Sequence, residues 1–254
     1  MGEDLRYHIR IYDPEKVGKY VLLPGDRGRV KRIAKYLENA EVVADNREYF
    51  TMTGYLNGEK VSVMSTGMGA PCISIGVEEL KTLGVHTFIR IGTTGALQKN
   101  LKLGDSIIPT AAIRGDGTMD YYLPKSFPAV GHFDVISALK EAAGIIGNPH
   151  HLGVVLSTDS YYGRFFNTKK AAEDMDLFVR ANTLAIEMEV SALYVLGNIY
   201  NLRTGAIITI REELGEDGEY KKQAGEEYEN GLEKSIQIAI KAVELLIEKD
   251  KNIK

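Results

Sequence analysis

The sequence predicts a single α/β domain spanning residues 1–254, with a central mixed β-sheet flanked by helices. Three observations point there. Short apolar runs that stop at glycine or a turn alternate with stretches whose apolar residues recur at helical spacing. Neither an internal repeat nor a linker-like segment divides the chain. A chain of 254 residues, 44 % of them hydrophobic, is long enough to bury a large core.

Taken in order, 19-KYVLLPGD-26 reads as an apolar strand ending in a turn. A helix follows over 28–38, with Val30, Ile33, Ala34 and Leu37 on one face. Two strands, 49-YFTMTGYLNG-58 and 60-KVSVMST-66, flank Asn57-Gly58, a strong hairpin signal. The glycine loop 67-GMGAP-71 leads into a helix over 72–83, whose first turn suits Pro71 and which Gly84 closes. The strand 86-HTFIRIG-92 runs into a small loop, 92-GTTG-95. In 106-SIIPTAAI-113, Pro109 predicts an irregular or edge strand. Residues 114–131 read as a site-covering loop. Helix 133–146, strand 152–158, helix 168–181, helix 187–200 and strand 204–210 come next. The charged stretch 213–230 reads as irregular or as a short mobile helix. A final helix covers 231–248, with Leu232, Ile236, Ala239, Val243 and Leu246 on one stripe.

The formal net charge of -4 argues against a general nucleic-acid surface. Cys72 is the only cysteine, so no internal disulfide forms. The N-terminal MGEDLRYHIRI has no long apolar run, and no stretch approaches eighteen uncharged apolar residues. A cytoplasmic protein without membrane or nucleic-acid partners is the expectation. The histidines show no metal spacing, and no CxxC or HExxH is present, so no metal is expected.

Arg90 poses the chemical question. It sits among Phe88, Ile89 and Ile91 in a run that wants to be covered, where a guanidinium needs a partner. Arg27, Arg29 and Arg47 also stand beside strand ends or glycine loops. Arginine's fork of donors matches phosphate oxygens in pairs, so a convergence of them would hold phosphate or sulfate. Arg27 and Arg29 read equally as solvated residues at a helix start. The run 65-STGMGAP-71 is a cradle of the kind that receives an anion or sugar, though neither a GxGxxG fingerprint nor a Walker A loop. In 187-EMEV-190, a carboxylate could accept from both hydroxyls of a ribose, with Met188 against the sugar. The alternative is surface glutamates around a core methionine. Asp159 with Ser160, Tyr161 and Tyr162 ends another strand, where an aromatic could stack on a base or fill a core edge.

Together, PGDxxR at 24–29, NREY at 46–49, STGMGAP at 65–71, RIGTTGA at 90–96 and EME at 187–189 resemble the nucleoside phosphorylases. The resemblance is strongest to the uridine-phosphorylase-like branch, extends to the hexameric purine enzymes, and runs over nearly the whole chain. It implies transfer of a ribosyl group from a nucleoside to phosphate, giving free base and ribose 1-phosphate. Gly25, Arg29, Arg90 and Thr93 match phosphate-binding positions. Arg47 matches an arginine lent to the phosphate by a neighbouring subunit, and His8 a residue lent to the ribose 5'-hydroxyl. Glu189 matches the ribose-holding carboxylate, with Met188 beside it, and Tyr161 the aromatic on the base. The base end is assigned to Thr94, Gly95, Tyr161, Phe165, Asn167 and Glu187. The resemblance further implies sites shared across a dimer, assembled into a hexamer. It implies no cofactor beyond phosphate as co-substrate, and it allows a structural monovalent cation near Glu48.

The chain departs from the uridine enzymes at their glutamine-and-arginine uracil clamp, where it carries Phe165 and Asn167. Purine enzymes place an acid after the strand matching 204–210. Here that segment is Arg211-Glu212-Glu213, and the spacing leaves open which of these faces the base. With Arg90 and Glu189 they complete the catalytic candidates. Two other readings remain: a nucleosidase of the same fold using water, and a nucleoside-binding protein without turnover.

Overall fold

The computed structural model describes residues 6–214, 220–222 and 225–252, the side chains at 164, 171 and 220–222 excepted. The described strands and helices are β1 (Tyr20–Pro24), α1 (Arg27–Ala34), β2 (Glu38–Asn46), β3 (Tyr49–Leu56), β4 (Glu59–Met64), α2 (Ala70–Lys81), β5 (Thr87–Ala96), β6 (Ser106–Gly115), β7 (Ala129–Val130), α3 (Phe133–Ile146), β8 (His150–Thr158), α4 (Gly163–Phe166), α5 (Thr168–Arg180), β9 (Ala185–Glu187), α6 (Val190–Tyr200), β10 (Arg203–Leu214), β11 (Tyr220–Lys222) and α7 (Glu226–Asn252).

All the strands join one mixed sheet. β1 runs parallel to both β4 and β5, and β5 runs parallel to β10. The meander β2-β3-β4 extends one side antiparallel. On the other side β10 pairs β6, β6 pairs β8, β8 pairs β9, and β9 returns to β5. Part of the sheet therefore closes into a ring, β5-β10-β6-β8-β9, with β1, β4, β3 and β2 continuing outward from β5, β7 attached to β6 and β11 to β10. The alternation of side chains along each strand feeds a core on either face. In β5, Phe88 belongs to the cluster under α2 and α6, whereas Ile89 and Ile91 belong to the cluster under α1, α3 and α7. Arg90 shares the parity of Phe88, so its side chain is sent toward α2 and α6.

Several sequence expectations change. The helix predicted to 38 ends at Ala34, and 38–46 is a strand whose residues are mostly exposed or half-buried. Such a strand has no apolar alternation to announce it. The predicted loop 92-GTTG-95 is instead the continuation of β5, held by β10 on one side and β9 on the other. β6 is an internal strand between β10 and β8, not an edge. Pro109 is accommodated by a register shift between Pro109 and Ala111. The helix predicted from 187 starts at Val190, after the short β9. α7 begins at Glu226, and part of the charged stretch before it, residues 215–219 and 223–224, lies outside the described residues.

Residues 114–131 are pinned down from within. The buried Arg114 guanidinium donates to the carbonyls of Leu123, Pro124 and Phe127, and buried Asp116 accepts from the Met119 amide and the Ser191 hydroxyl. At the opposite end of the sheet, Asp250 of α7 receives two bonds from Arg203, at 2.7 and 2.6 Å, and the Tyr20 hydroxyl at 2.5 Å. Among the described residues no helix is long and apolar enough to cross a membrane.

Candidate active site

The carboxyl ends of β1, β4, β5, β9 and β10 gather the chemistry, as parallel α/β sheets dispose their ligand sites. Two glycine loops clasp each other there: the Gly67 amide donates to the Gly25 carbonyl at 3.0 Å and the Thr66 amide to that of Pro24. Gly67 has φ 71°, a left-handed conformation that glycine adopts without strain.

Arg90 lies at the centre and is 4 % exposed. One Nη2 bond goes to the Glu189 carboxylate, while Nε stands 3.7 Å from Glu187 Oε2, beyond hydrogen-bonding distance. Nε and Nη1 are buried and find no hydrogen-bond partner among the described residues. Each of these two atoms faces a glycine. A Cβ at Gly25 would come within 3.9 Å of Nη1, and one at Gly92 within 3.2 Å of Nε. A side chain at either glycine would crowd these donors. Donors left unmet at this depth call for a further acceptor. Arg29 adjoins this space from the first turn of α1, its Nη1 donating to the Ile91 carbonyl at 3.0 Å. Burial, and then the charge of Arg90, push the Arg29 pKa down. Thr93 is half-buried on β5 opposite Thr209.

The two glutamates part company at the junction of β9 and α6. Glu187 turns back on the helix start: its carboxylate accepts from the amides of Glu189 at 2.8 Å and Val190 at 3.0–3.1 Å, and from the Ser157 hydroxyl. Burial, then the charge of Glu189, raise its pKa to about 7, against the opposing pull of Arg90. Glu187 therefore fixes the junction, with its acceptors already used. Glu189 instead spans the site, one oxygen on Arg90 and the other on the Gly69 amide at 2.6 Å. Met188 is half-buried between them.

At the far end of β5, the Thr94 hydroxyl donates to the Ile186 carbonyl at 2.7 Å, and Gly95 pairs with both Ile186 and Glu212. A bulge at Ile210/Glu212 splits the three candidates that follow β10's apolar run. Glu212 receives the Tyr161 hydroxyl at 3.0 Å. Arg211 is exposed, its guanidinium 5.9 Å from the Tyr228 ring, and Glu213 accepts from Lys102 at 2.7 Å. Glu212 is thus the residue of the three that meets the aromatic end. Phe165 is 61 % exposed and packs with Tyr161 and Tyr162 in one aromatic group. Asn167 caps α5, its side chain accepting from the Lys170 amide at 3.4 Å.

Arg47 and His8 stand close to each other. Arg47 is exposed, its guanidinium 5.7 Å from the Tyr7 ring, and that ring stands edge-on to His8 at 5.1 Å. Arg27 bonds Asp45 and the Arg47 carbonyl, so it is a surface brace. Glu48 is half-buried, and its carbonyl accepts from the Ser65 hydroxyl at 2.5 Å. A hollow between residues 10–16 and β2, lined by Tyr12, Lys16, Glu41 and Val42, holds none of these groups.

Sequence reasoning missed Gly69, Ser157 and Glu79. Gly69 lies in a loop it did single out, without the role its amide plays. Ser157 sits at the end of an ordinary apolar strand, and Glu79 stands in the helix predicted over 72–83 beside another glutamate, so neither carries a sequence signal.

Residues 19–248 match the profile of the phosphorylase superfamily. The chain is 41 % identical over 252 residues to the uridine phosphorylase of Treponema pallidum, covering 97 % of this chain and 96 % of that one. It is 36 % identical over 236 residues to the guanosine phosphorylase of Halorubrum lacusprofundi, covering 91 % and 95 %. A crystal structure of uridine phosphorylase from Vibrio fischeri superposes with a TM-score of 0.82 at 29 % identity, covering 93 % of this chain and 95 % of that one.

Proposed function

Because the chain belongs to the phosphorylase superfamily, we propose that it is a nucleoside phosphorylase, cleaving a ribonucleoside with inorganic phosphate to free base and ribose 1-phosphate. The observation that carries this reading is Arg90, deeply buried, with two donors unmet among the described residues and glycines packed against them. A nucleosidase using water has no need of such a group. Phosphate takes the Nε and Nη1 donors of Arg90, with Arg29 and Thr93 at its margin. Glu189 releases part of its hold on Arg90 to accept from the ribose 2'- and 3'-hydroxyls, and Met188 lies against the sugar.

In the reaction the bond from the anomeric carbon to the base nitrogen breaks, and a phosphate oxygen bonds to that carbon. The electron pair of the broken bond leaves with the base, which takes up a proton from solvent as the new phosphate ester gives one up. The sugar passes through a cationic state that the adjacent phosphate stabilises, so positioning and electrostatics carry the catalysis.

The base end is formed by Thr94, Gly95, Tyr161 and Glu212. Glu212 acts there as an acceptor, as it does toward the Tyr161 hydroxyl. An acceptor suits a ring N–H, which uracil carries at N3 and 6-oxopurines at N1. The relatives named uridine and guanosine phosphorylases fall on both sides of that class. Phe165 and Asn167 form no uracil clamp in this reading, and Arg211 and Glu213 serve β10's surroundings. Exposed Arg47 and half-buried His8, which stand near each other, are lent to the site of a second copy in a homodimer, itself assembled into a hexamer.

The test is base release from uridine, inosine, guanosine, adenosine and cytidine, each with and without phosphate. Phosphate-dependent turnover of the first three above the last two is expected. Release that does not depend on phosphate would overturn the reading in favour of a nucleosidase, and binding without release would leave a nucleoside-binding protein.

A further inference from the structure

His8 is not a free surface side chain. Its Nδ1 lies 2.6 Å from Oε1 of Glu79, a residue of α2 that is 7 % exposed. The same carboxylate accepts from the backbone amides of His8, at 3.1 and 3.2 Å, and of Ile9, at 2.8 Å. From the other side, the Asn46 side chain donates to the His8 carbonyl at 2.7 Å. One buried carboxylate therefore holds both the backbone and the ring of this segment. We infer that Glu79 is a positioning residue for His8, fixing its ring so that Nε2 is presented to a sugar hydroxyl in the site of a second copy. This rests on the shared-site reading given above.

The chemistry follows from donor and acceptor roles. A carboxylate only accepts, so the ring proton of neutral His8 sits on Nδ1. Nε2 is then bare, on a side chain that is 34 % accessible. A bare imidazole nitrogen accepts from a hydroxyl, and the ribose 5'-hydroxyl is a donor that phosphate and base contacts leave unread. Tyr7, edge-on to His8 and under the Arg47 guanidinium, ties the two lent residues into one surface unit. Without Glu79 the ring would be free to turn and to exchange its proton between nitrogens.

The experiment compares kcat/KM for a ribonucleoside and its 5'-deoxy analogue in the wild-type enzyme, His8→Ala, Glu79→Gln and the double variant. The base is whichever the release panel shows to be turned over. The preference for the 5'-hydroxyl is expected to fall about tenfold in His8→Ala, the loss of one hydrogen bond to substrate. Glu79→Gln should lose a similar share, the double variant no more than His8→Ala, and KM for phosphate should stay within about twofold in Glu79→Gln. A merely structural role for Glu79 would lower both substrates equally and leave the ratio intact. A wild-type ratio in Glu79→Gln beside a collapsed ratio in His8→Ala overturns the inference while the shared-site reading stands. An unchanged ratio in His8→Ala overturns both. Should Glu79→Gln fail to fold, Glu79→Asp keeps a carboxylate but withdraws it from the ring, and the same ratio decides.

Discussion

Arg90→Ala deletes the group on which three things rest: the proposed anion site, the anchor of Glu189 and the neutralisation of two buried carboxylates. The kinetic effect can be worked from the donors. Nε and Nη1 would each make a charge-assisted bond to phosphate worth about 1.5–3 kcal/mol, together about 3–6 kcal/mol. At 1.36 kcal/mol per tenfold, kcat/KM for phosphate falls by about two to four orders of magnitude. The structural effect is separate. Removing one member of a buried ion pair costs about 3–5 kcal/mol, because the opposite charge is left uncompensated. Part of that loss depends on pH, with a sign the structure fixes. Glu187 has its folded pKa raised to about 7, above the unfolded value of about 4.3, and losing Arg90 raises it further. Its favourable contribution is complete below the unfolded value and disappears as pH rises through the folded one. The variant should therefore melt closer to wild type at pH 6 than at pH 8. Arg90→Lys should lie between, since one ammonium cannot bridge Glu189 and an anion as a planar fork does. Initial rates over a phosphate series at saturating nucleoside, with melts at both pH values, measure all of this. Phosphate saturation within twofold of wild type in a folded Arg90→Ala protein would refute the assignment.

Glu189→Gln should lower kcat/KM for ribonucleosides about tenfold more than for 2'-deoxy analogues, since the amide keeps one acceptor but loses the charge; equal losses on both would remove the ribose contact. Arg47→Ala mixed with Arg90→Ala should recover part of the wild-type activity after subunit exchange, because one site type in the hybrid is intact. No recovery despite exchange seen by mass spectrometry would count against shared sites. Asp250→Ala should cost roughly 2–3 kcal/mol in urea unfolding by stranding Arg203 and Tyr20, with kcat unchanged because the cluster lies at the far end of the sheet; a fall in kcat would mean that this end of α7 communicates with the site.

Local chemistry made some of this legible. Asn57 and Gly58 take φ of 50° and 78°, the hairpin their identities predict, and Gly84 closes the α2 region at φ 83°. The helix 133–146 matches α3 at both ends because its apolar stripe is regular. β2 was invisible because it is a sheet edge with little to bury, and β9 because three residues carry no period. The meeting of Arg90 with Glu189, ninety-nine residues later, follows from no local pattern; only the set of motifs taken together pointed to it. The parity of β5 explains it afterwards, since Arg90 shares the face of Phe88 under α2 and α6. The extension of β5 through 92–95 was hidden because glycine and threonine there read as a loop, whereas pairing on both sides makes them a strand.

The strand ring has a consequence for how the molecule comes into being. Its closing member, β10, is the last long strand of the chain, and it pairs with β5 more than a hundred residues earlier. During synthesis the first four-fifths of the polypeptide can assemble β1, β4 and β5, with Gly25, Arg29 and Arg90 in place. One side of β5 then stays unpaired, and the aromatic end still lacks Glu212. Closing so long a loop is slow, and an open strand edge is adhesive while it lasts. Arg29 and Arg90 thus belong to the early-synthesised part of the protein, and Glu212 to the late one. Nascent chains stalled before Arg203 should be the species that chaperones hold.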